Sequence, residues 1–343
     1  MSDIHIRPEG RAGRITLTRP GALNALTHDM VLVIEQALDD WRTREALDLI
    51  VIDAAGDKAF CAGGDIQEMY HHGRAGDFDY GRRFWRDEYR MNAKIATYPK
   101  PIVSFLQGYT MGGGVGVGCH ASHRIVCETS TLAMPEVGIG LIPDVGGSLL
   151  LARAPGRLGE FLGLTAHRMT AGDALHTGFA DHFVPQAGWA ALMAELCATG
   201  DASAVPRLAE SAPASALAGW QARIDACFDG DTLGAIADVL PDPAPEPLDR
   251  AGAALARHSP LAMACTLRLV HNARTAQDIC AALEHEYRHT ARSMERGDFL
   301  EGIRAAIIDR DGAPRWRHDD WRDLPAADIR AMEAPMTAAP LHL

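Results

Sequence analysis

The chain lacks an apolar stretch long enough to cross a membrane. A spanning helix needs about 18 or more consecutive apolar residues, and no run within the 343 residues approaches that length. The first residues, MSDIHIRPEGRAG, also lack the apolar core of a secretory signal. We therefore expect a cytoplasmic protein with no membrane partner.

Cysteines and basic residues are both sparse. The 7 cysteines show no paired spacing and their number is odd, which indicates reduced thiols rather than a disulfide framework. The 33 Lys and Arg residues are outnumbered by 45 Asp and Glu residues, giving a formal net charge of −12. An acidic chain is a poor general binder of nucleic acid. We expect no nucleic-acid partner, and an anionic ligand would need a local basic patch.

The histidine pairs do not indicate a metal site. His71 and His72 are adjacent, and His120 and His123 are three positions apart. Because no carboxylate or cysteine completes either set at a metal-ligand spacing, we expect no bound metal.

Strand and helix patterns alternate in the first part of the chain. Apolar runs predict strands over 4–6, 14–18 and 49–52, and helical spacing predicts amphipathic helices over 28–43 and 79–97. This alternation is typical of parallel β units with crossover helices. Periodicity alone leaves the choice between a spiral of such units and a doubly wound sheet open.

The composition changes in the last third of the chain. A linker or hinge loop is predicted over residues 240–247, which are Leu240 followed by PDPAPEP. The segments after it have mostly helical patterns. We predict a catalytic core over 1–200, a mostly helical region over 201–320 and a tail over 321–343.

The most informative stretch is 100–147, where strand, glycine-rich turn and acidic loop follow one another. Glycines at 112–114 follow a short apolar run, and glycine at a strand-to-helix turn lets a backbone N–H approach a ligand closely. Glu136 and Asp144 each follow a proline, among apolar and glycine residues. A carboxylate in such surroundings is either a satisfied structural acid or a catalytic acid with a tuned pKa.

Three motifs resemble the enoyl-CoA hydratase/isomerase (crotonase) superfamily. They are KAFCAGGDIQEMY at 58–70, MGGGVGVG at 111–118 and AMPEVGIGLIPDVGG at 133–147. The resemblance is close over about residues 12–185. It implies an α/β fold, a crotonase-like spiral of ββα units with a C-terminal helical region.

Within this superfamily the chain is most similar to the 3-hydroxyisobutyryl-CoA hydrolases. The segment PDVGG places Asp144 where hydratases usually have glycine, and Gly116 stands where hydratases carry a glutamate. The resemblance implies a thioester hydrolase acting on a 3-hydroxyacyl-CoA in valine catabolism. The CoA would be part of the substrate, with no separate cofactor.

The resemblance also implies roles for four positions. Backbone N–H groups of Cys61 and Gly113 match the oxyanion hole, which stabilises the charge that forms on an attacked thioester oxygen. Glu136 matches the main catalytic acid, which either attacks the thioester to form an anhydride or activates water. Asp144 would orient water or protonate the departing group.

Further positions match substrate contacts. The substrate-binding set is Glu88, Gly113, Glu136 and Asp144, and the CoA-binding set is Lys58, Gly64 and Asp65. Glu88 lies on the helix predicted over 79–97, where it would accept the substrate hydroxyl; the alternative is a solvated helix face. For Asp65, the alternative to CoA binding is that its side chain caps the next helix.

Two other functions compete with hydrolysis. An enoyl-CoA hydratase or isomerase would share the fold, but Gly116 removes one of the two acids that water addition needs. A non-catalytic acyl-CoA-binding protein would also share it, but Glu136 and Asp144 are both present. The sequence leaves a homo-oligomer open.

Overall fold

In the computed structural model, residues 3–337 and 340–343 are described, and they form two compact units. The sheet unit comprises the described residues within Met1–Gly64, Arg90–Ala133 and Arg168–Ala216. The helical unit comprises those within Asp65–Tyr89, Met134–His167 and Leu217–Leu343. These units are interleaved along the chain, whereas the predicted division at residues 200 and 320 follows sequence order.

The described strands and helices have the following bounds. The strands are β1 (Ile4–Glu9), β2 (Ala12–Leu17), β3 (Leu49–Ala54), β4 (Ala59–Cys61), β5 (Ile102–Phe105), β6 (Tyr109–Met111), β7 (His123–Val126), β8 (Thr131–Ala133) and β9 (His182–Phe183). The helices are α1 (His28–Arg42), α2 (Gln67–Arg74), α3 (Phe78–Ala96), α4 (Gly113–Gly118), α5 (Gly147–Arg153), α6 (Leu158–Thr165), α7 (Ala171–Thr177), α8 (Trp189–Thr199), α9 (Ala204–Leu208), α10 (Ala216–Phe228), α11 (Leu233–Val239), α12 (Leu248–Arg257), α13 (Pro260–Ala273), α14 (Ile279–Arg296), α15 (Phe299–Ile303) and α16 (Ala326–Glu333). Short 3₁₀ segments cover Pro20–Ala22, Glu136–Ile139, Gln186–Gly188 and Trp321–Asp323, and a π-helical turn covers Arg304–Ile308.

The strands of the sheet unit form two sheets. One sheet has the order β1-β2-β3-β5-β7-β9, and the other has the order β4-β6-β8. Among the described strands, β1 and β2 pair as an antiparallel hairpin, and the strand pairs from β2 onward are parallel. From β3 onward, successive strands alternate between the two sheets. This alternation confirms the predicted spiral of ββα units and excludes a doubly wound sheet.

The core of the sheet unit forms because apolar strands meet an amphipathic helix. Val51 and Val103 on neighbouring parallel strands are fully buried, and they belong to one apolar cluster with Leu192 and Leu196 of α8. Residues four apart share one face of a helix, so α8 presents these two leucines together.

The helical unit has its own apolar cluster. Ile142, Leu261, Cys265 and Leu269 pack together with Met332 of α16. Residues 321–343, predicted as a tail, therefore include a packed helix. Its apolar pattern is too short to stand out in the sequence, because α16 has eight residues.

Several predicted elements are confirmed with shifted ends. The first two strands are longer than the predicted ranges 4–6 and 14–18, because Glu9 at the end of β1 already pairs with Ala12 at the start of β2. The helix after the GGD motif begins later, with Ile66 at its N-cap position and no side-chain cap, so Asp65 is not the capping residue. The loop predicted over 240–247 lies between α11 and α12.

Candidate active site

The two predicted oxyanion-hole residues lie in the sheet unit. Cys61 ends β4, and Gly113 opens α4 after Gly112, whose φ of +50° suits glycine. The first N–H groups of a helix have no partner within the helix, so the backbone of Gly113 is placed to donate to a ligand.

A glycine contact brings β4 against α4. A Cβ atom at Gly114 would overlap the carbonyl oxygen of Cys61. Only glycine allows this approach, which brings the main chain of Cys61 against α4 one residue after Gly113. The Cys61 side chain is buried, with its Sγ 3.5 Å from the carbonyl oxygen of Gly63.

Three predicted acids come together in the helical unit. Glu88 of α3 is 3% exposed, and Glu136 and Asp144 are each 4% exposed. Glu136 opens the 3₁₀ segment after Pro135. Burial first, and then the nearby charge of Asp144, raise the pKa of both Glu88 and Glu136, so the three carboxyl groups share one buried region. The solvated helix face considered for Glu88 is thereby excluded.

Asp144 is presented by a turn with left-handed backbone. Val145 has a φ of +54° and Gly146 a φ of +79°. The N–H of Gly147 donates to the carbonyl oxygen of Asp144 at 2.7 Å and closes the turn. A β-branched residue such as valine rarely adopts a positive φ, so this turn is held in place by its surroundings.

Burial dominates the electrostatics of these acids. It raises the pKa of Asp144 to about 7, against the lowering effect of a hydrogen bond from Tyr89. Burial first, and then the charge of Asp144, raise the pKa of Glu136 well above its usual range. The same two causes raise the pKa of Glu88. At neutral pH these carboxyl groups therefore share protons rather than ionise together.

Two carboxyl oxygens in this region have no hydrogen-bond partner. Glu88 Oε1 and Glu136 Oε2 are buried and unpaired within the described part of the chain. Buried polar atoms normally have partners, and exceptions mark strain or a catalytic role. Each of these oxygens is therefore available to bind a group of the substrate.

The predicted CoA-binding residues are divided between the units. Lys58 is exposed in the turn before β4, and Gly64 forms a bridge with Leu26 in the sheet unit. Asp65 is half-buried at the start of the helical unit. The Nζ of Lys100 donates to the carbonyl oxygens of Trp41 and Arg44, each at 2.8 Å, so this cation is engaged within the sheet unit.

The sequence analysis missed two residues beside Asp144. Tyr89 donates its phenol O–H to Asp144 Oδ2 at 2.7 Å. Glu286 of α14 accepts the N–H of Gly146 at 2.8 Å. A signal for Glu286 exists in the sequence, because it falls on the apolar face of its helix between Leu283 and Thr290, where a carboxylate is unexpected.

Neither a membrane-spanning helix nor a metal-binding cluster is found among the described residues. Across residues 3–337 and 340–343, no helix has both the length and the apolar character to cross a membrane. The same residues contain no group of three or more His, Cys, Asp and Glu side chains placed to hold a metal.

Comparison with known proteins adds to this geometry. The profile of the enoyl-CoA hydratase/isomerase family matches residues 12–332. A 3-hydroxyisobutyryl-CoA hydrolase, mitochondrial, from Rattus norvegicus is 38% identical, over 96% of this chain and 88% of its own length.

Two crystal structures are also similar over their full length. An enoyl-CoA hydratase from Rhodobacter sphaeroides 2.4.1 is 53% identical, with a TM-score of 0.96 and coverage of 100% of both chains. A carnitinyl-CoA dehydratase from Mycobacterium thermoresistibile is 40% identical, with a TM-score of 0.95 and coverage of 100% of this chain and 99% of its own.

Proposed function

The chain belongs to the enoyl-CoA hydratase/isomerase family, and from that premise we propose that it hydrolyses the thioester of a 3-hydroxyacyl-CoA. The substrate that we propose is 3-hydroxyisobutyryl-CoA, an intermediate of valine catabolism. The observation that carries the proposal is the 34–38% identity to several curated 3-hydroxyisobutyryl-CoA hydrolases over most of the chain.

The buried acids supply the chemistry of this proposal. Glu136 attacks the thioester carbonyl carbon to form an anhydride, which water then opens, or it activates the water that attacks directly; in both cases CoA leaves as its thiol and the acyl group leaves as the 3-hydroxy acid. Glu88 accepts the hydroxyl group of the acyl chain, which explains a buried glutamate with an unpaired oxygen. Asp144 exchanges a proton with the departing sulfur or with water, since its pKa of about 7 suits both directions.

Backbone donors stabilise the charge that forms on the thioester oxygen. We assign this role to the N–H groups of Cys61 and Gly113. Removal of one such donor costs about 3 kcal/mol of transition-state stabilisation in other enzymes. The CoA portion would contact Lys58, Gly64 and Asp65.

A hydratase is the second candidate, because a structure described as an enoyl-CoA hydratase is 53% identical. Gly116 argues against it. This residue lies buried within α4 and has no side chain, so the first acid of a two-acid water addition is missing.

A free-thiol release assay over a panel of CoA esters separates these candidates. We expect thiol release from 3-hydroxyisobutyryl-CoA and slow or absent hydration of crotonyl-CoA. Rapid loss of the enoyl absorbance without thiol release would overturn the hydrolase proposal. Asp144→Gly should abolish hydrolysis without creating hydration, because Gly116 still lacks a carboxylate. Wild-type thiol release from that variant would reduce Asp144 to a turn residue.

The remaining features of the proposal concern partners and location. We propose that the enzyme needs no cofactor beyond the CoA of its substrate and has no nucleic-acid partner. The proposal includes both a monomer and a homo-oligomer. All 7 cysteines are free thiols, which suits a reducing compartment. The cytoplasmic location stays a prediction, because animal relatives are named mitochondrial.

A further inference from the structure

Glu286 is a buried carboxyl group with no role in the chemistry proposed above. Its side chain is 0% exposed on α14. It accepts hydrogen bonds from the N–H of Gly146 at 2.8 Å, from the N–H of Ser148 at 3.0 Å and from the Ser148 hydroxyl group. One carboxyl group thus binds the main chain on both sides of Gly147.

The segment that Glu286 binds is the turn that presents Asp144. Val145 and Gly146 both have positive φ angles, and a turn with a valine in this region persists only when other contacts hold it. The three bonds from Gly146 and Ser148 are such contacts. Loss of the carboxyl group would leave two buried N–H groups unpaired and free the turn to relax.

Tyr89 binds the side chain of Asp144, whereas Glu286 binds the main chain that follows Asp144. Its phenol is fully buried and donates to Asp144 Oδ2 at 2.7 Å. The phenol oxygen also lies 3.2 Å from Thr290 Oγ1, on α14 one turn after Glu286. Helix α14 therefore supports Asp144 twice, through the main chain of the turn and through the phenol.

We propose that Glu286 and Tyr89 are positioning residues that fix the turn and the carboxyl group of Asp144 in the geometry that thioester hydrolysis requires. The expected changes in kcat rest on the proposed function. The effect of Glu286 and Tyr89 on the position of the turn and of Asp144 does not depend on which substrate the enzyme takes. Neither residue is assigned a contact with the substrate.

The groups that face Asp144 decide how its titration responds. They are Glu88 and Tyr89 of α3, Glu136 of the preceding segment and Glu286 of α14. The phenol is the neighbour that lowers the pKa of Asp144, whereas burial raises it. Removal of the phenol O–H therefore moves the pKa of Asp144 upward, whichever protonation state the reaction uses.

Tyr89→Phe is the first test. Loss of a hydrogen bond to a charged group should lower kcat for thiol release about 10- to 100-fold, with little change in KM. The limb of the kcat–pH profile that belongs to Asp144 should move to higher pH. Tyr98→Phe is the matched control, since its O–H donates at 2.7 Å to the carbonyl oxygen of Leu38; it should leave kcat and the pH profile unchanged.

Glu286→Gln is the second test. An amide cannot accept from both N–H groups, so we expect faster hydrogen exchange in a peptide covering residues 143–150 by mass spectrometry. A displacement of about 1 Å can cost about 100-fold in rate, so kcat should fall by about that factor. Glu284→Gln, on the exposed side of α14 beside Arg288, is the control and should change neither quantity.

Ser148→Ala keeps the test informative if Glu286→Gln does not fold. It removes the hydroxyl contact alone, and it should raise exchange at 143–150 and lower kcat by a smaller factor. Unchanged exchange at 143–150 in the folded Glu286 or Ser148 variant would overturn the inference. So would an unshifted pH profile in Tyr89→Phe. A wild-type enzyme that releases no thiol would instead refute the proposed function, while the exchange experiment would still decide the positioning of the turn.

Discussion

At the scale of single residues, neighbours rather than residue type distinguish the buried acids. Asp144 has a phenol donor that favours its ionised form. Glu136 has one carboxyl oxygen with no partner in the described chain, and burial raises its pKa well above the usual range. Without substrate, this arrangement favours a protonated Glu136, whereas attack on a thioester requires the ionised carboxylate. Attack by Glu136 would thus require loss of its proton when substrate binds.

Glu136→Gln tests the main catalytic role. We expect turnover to fall at least about 1000-fold, as is common when a nucleophile or base is lost. The fold should persist, because glutamine keeps the shape of the side chain and adds no charge to a buried site that already raises the pKa of Glu136. Thiol release and circular dichroism on the same sample measure both effects, with Glu284→Gln as the control. Retention of more than about a tenth of the activity would assign the principal role to another acid.

At the scale of elements, the contact between β4 and α4 positions the backbone N–H groups that we propose as the oxyanion hole. The contact depends on Gly114, where a side chain would overlap the carbonyl oxygen of Cys61. The backbone of β4 is itself anchored, because Ala59 and Cys61 pair in parallel with Tyr109 and Thr110 of β6. Strand β4 therefore cannot move away from α4 without breaking this pairing.

Gly114→Ala should separate the two elements. Overpacking in a close-packed region typically costs about 1–3 kcal/mol, so we expect a lower urea midpoint and a loss of thiol release. Gly219→Ala is the matched control, since a side chain there meets no atom within 4 Å. Alanine favours a helix over glycine by about 1 kcal/mol, so the control should keep or gain stability. Equal midpoints for the two variants would show that the contact is not tight.

The sequence predicted most elements because their patterns are local. The helical spacing of α1 and the apolar run of β3 are visible over a few residues, as is the Thr27 cap that accepts the N–H of Met30 at 3.2 Å. The acids Glu136 and Asp144 lie in a recognisable motif. Glu286 could not be connected with Asp144, because 142 positions separate them and only the tertiary fold brings them together.

At the scale of the whole molecule, buried acids make stability depend on pH. The folded-state pKa of Asp144, about 7, lies above its value in an unfolded chain, about 3.9. Between these values the native state binds more protons than the unfolded state. The free energy of unfolding therefore falls as pH rises from about 4 to about 7, by up to about 1.4 kcal/mol per pH unit for this group, and levels off above 7.

Asp144→Asn should flatten this dependence, because asparagine does not titrate. Urea unfolding at pH 5, 6, 7 and 8 measures the free energy for both proteins. We expect the wild type to lose stability relative to the variant across this range. Parallel curves would show that Asp144 titrates in the folded protein as it does in the unfolded chain.

The alternation of strands between two sheets has a consequence for how the chain reaches its structure. From β3 onward, no described strand pairs with the next strand in sequence; β3 pairs with β5, β5 with β7, and β7 with β9. Ribosomal synthesis thus delivers each strand before its next partner exists, and the larger sheet cannot close until residue 183 has emerged. Non-local pairing slows folding and prolongs the exposure of apolar edges. Truncation before β9 should therefore yield an aggregating chain rather than a smaller folded domain.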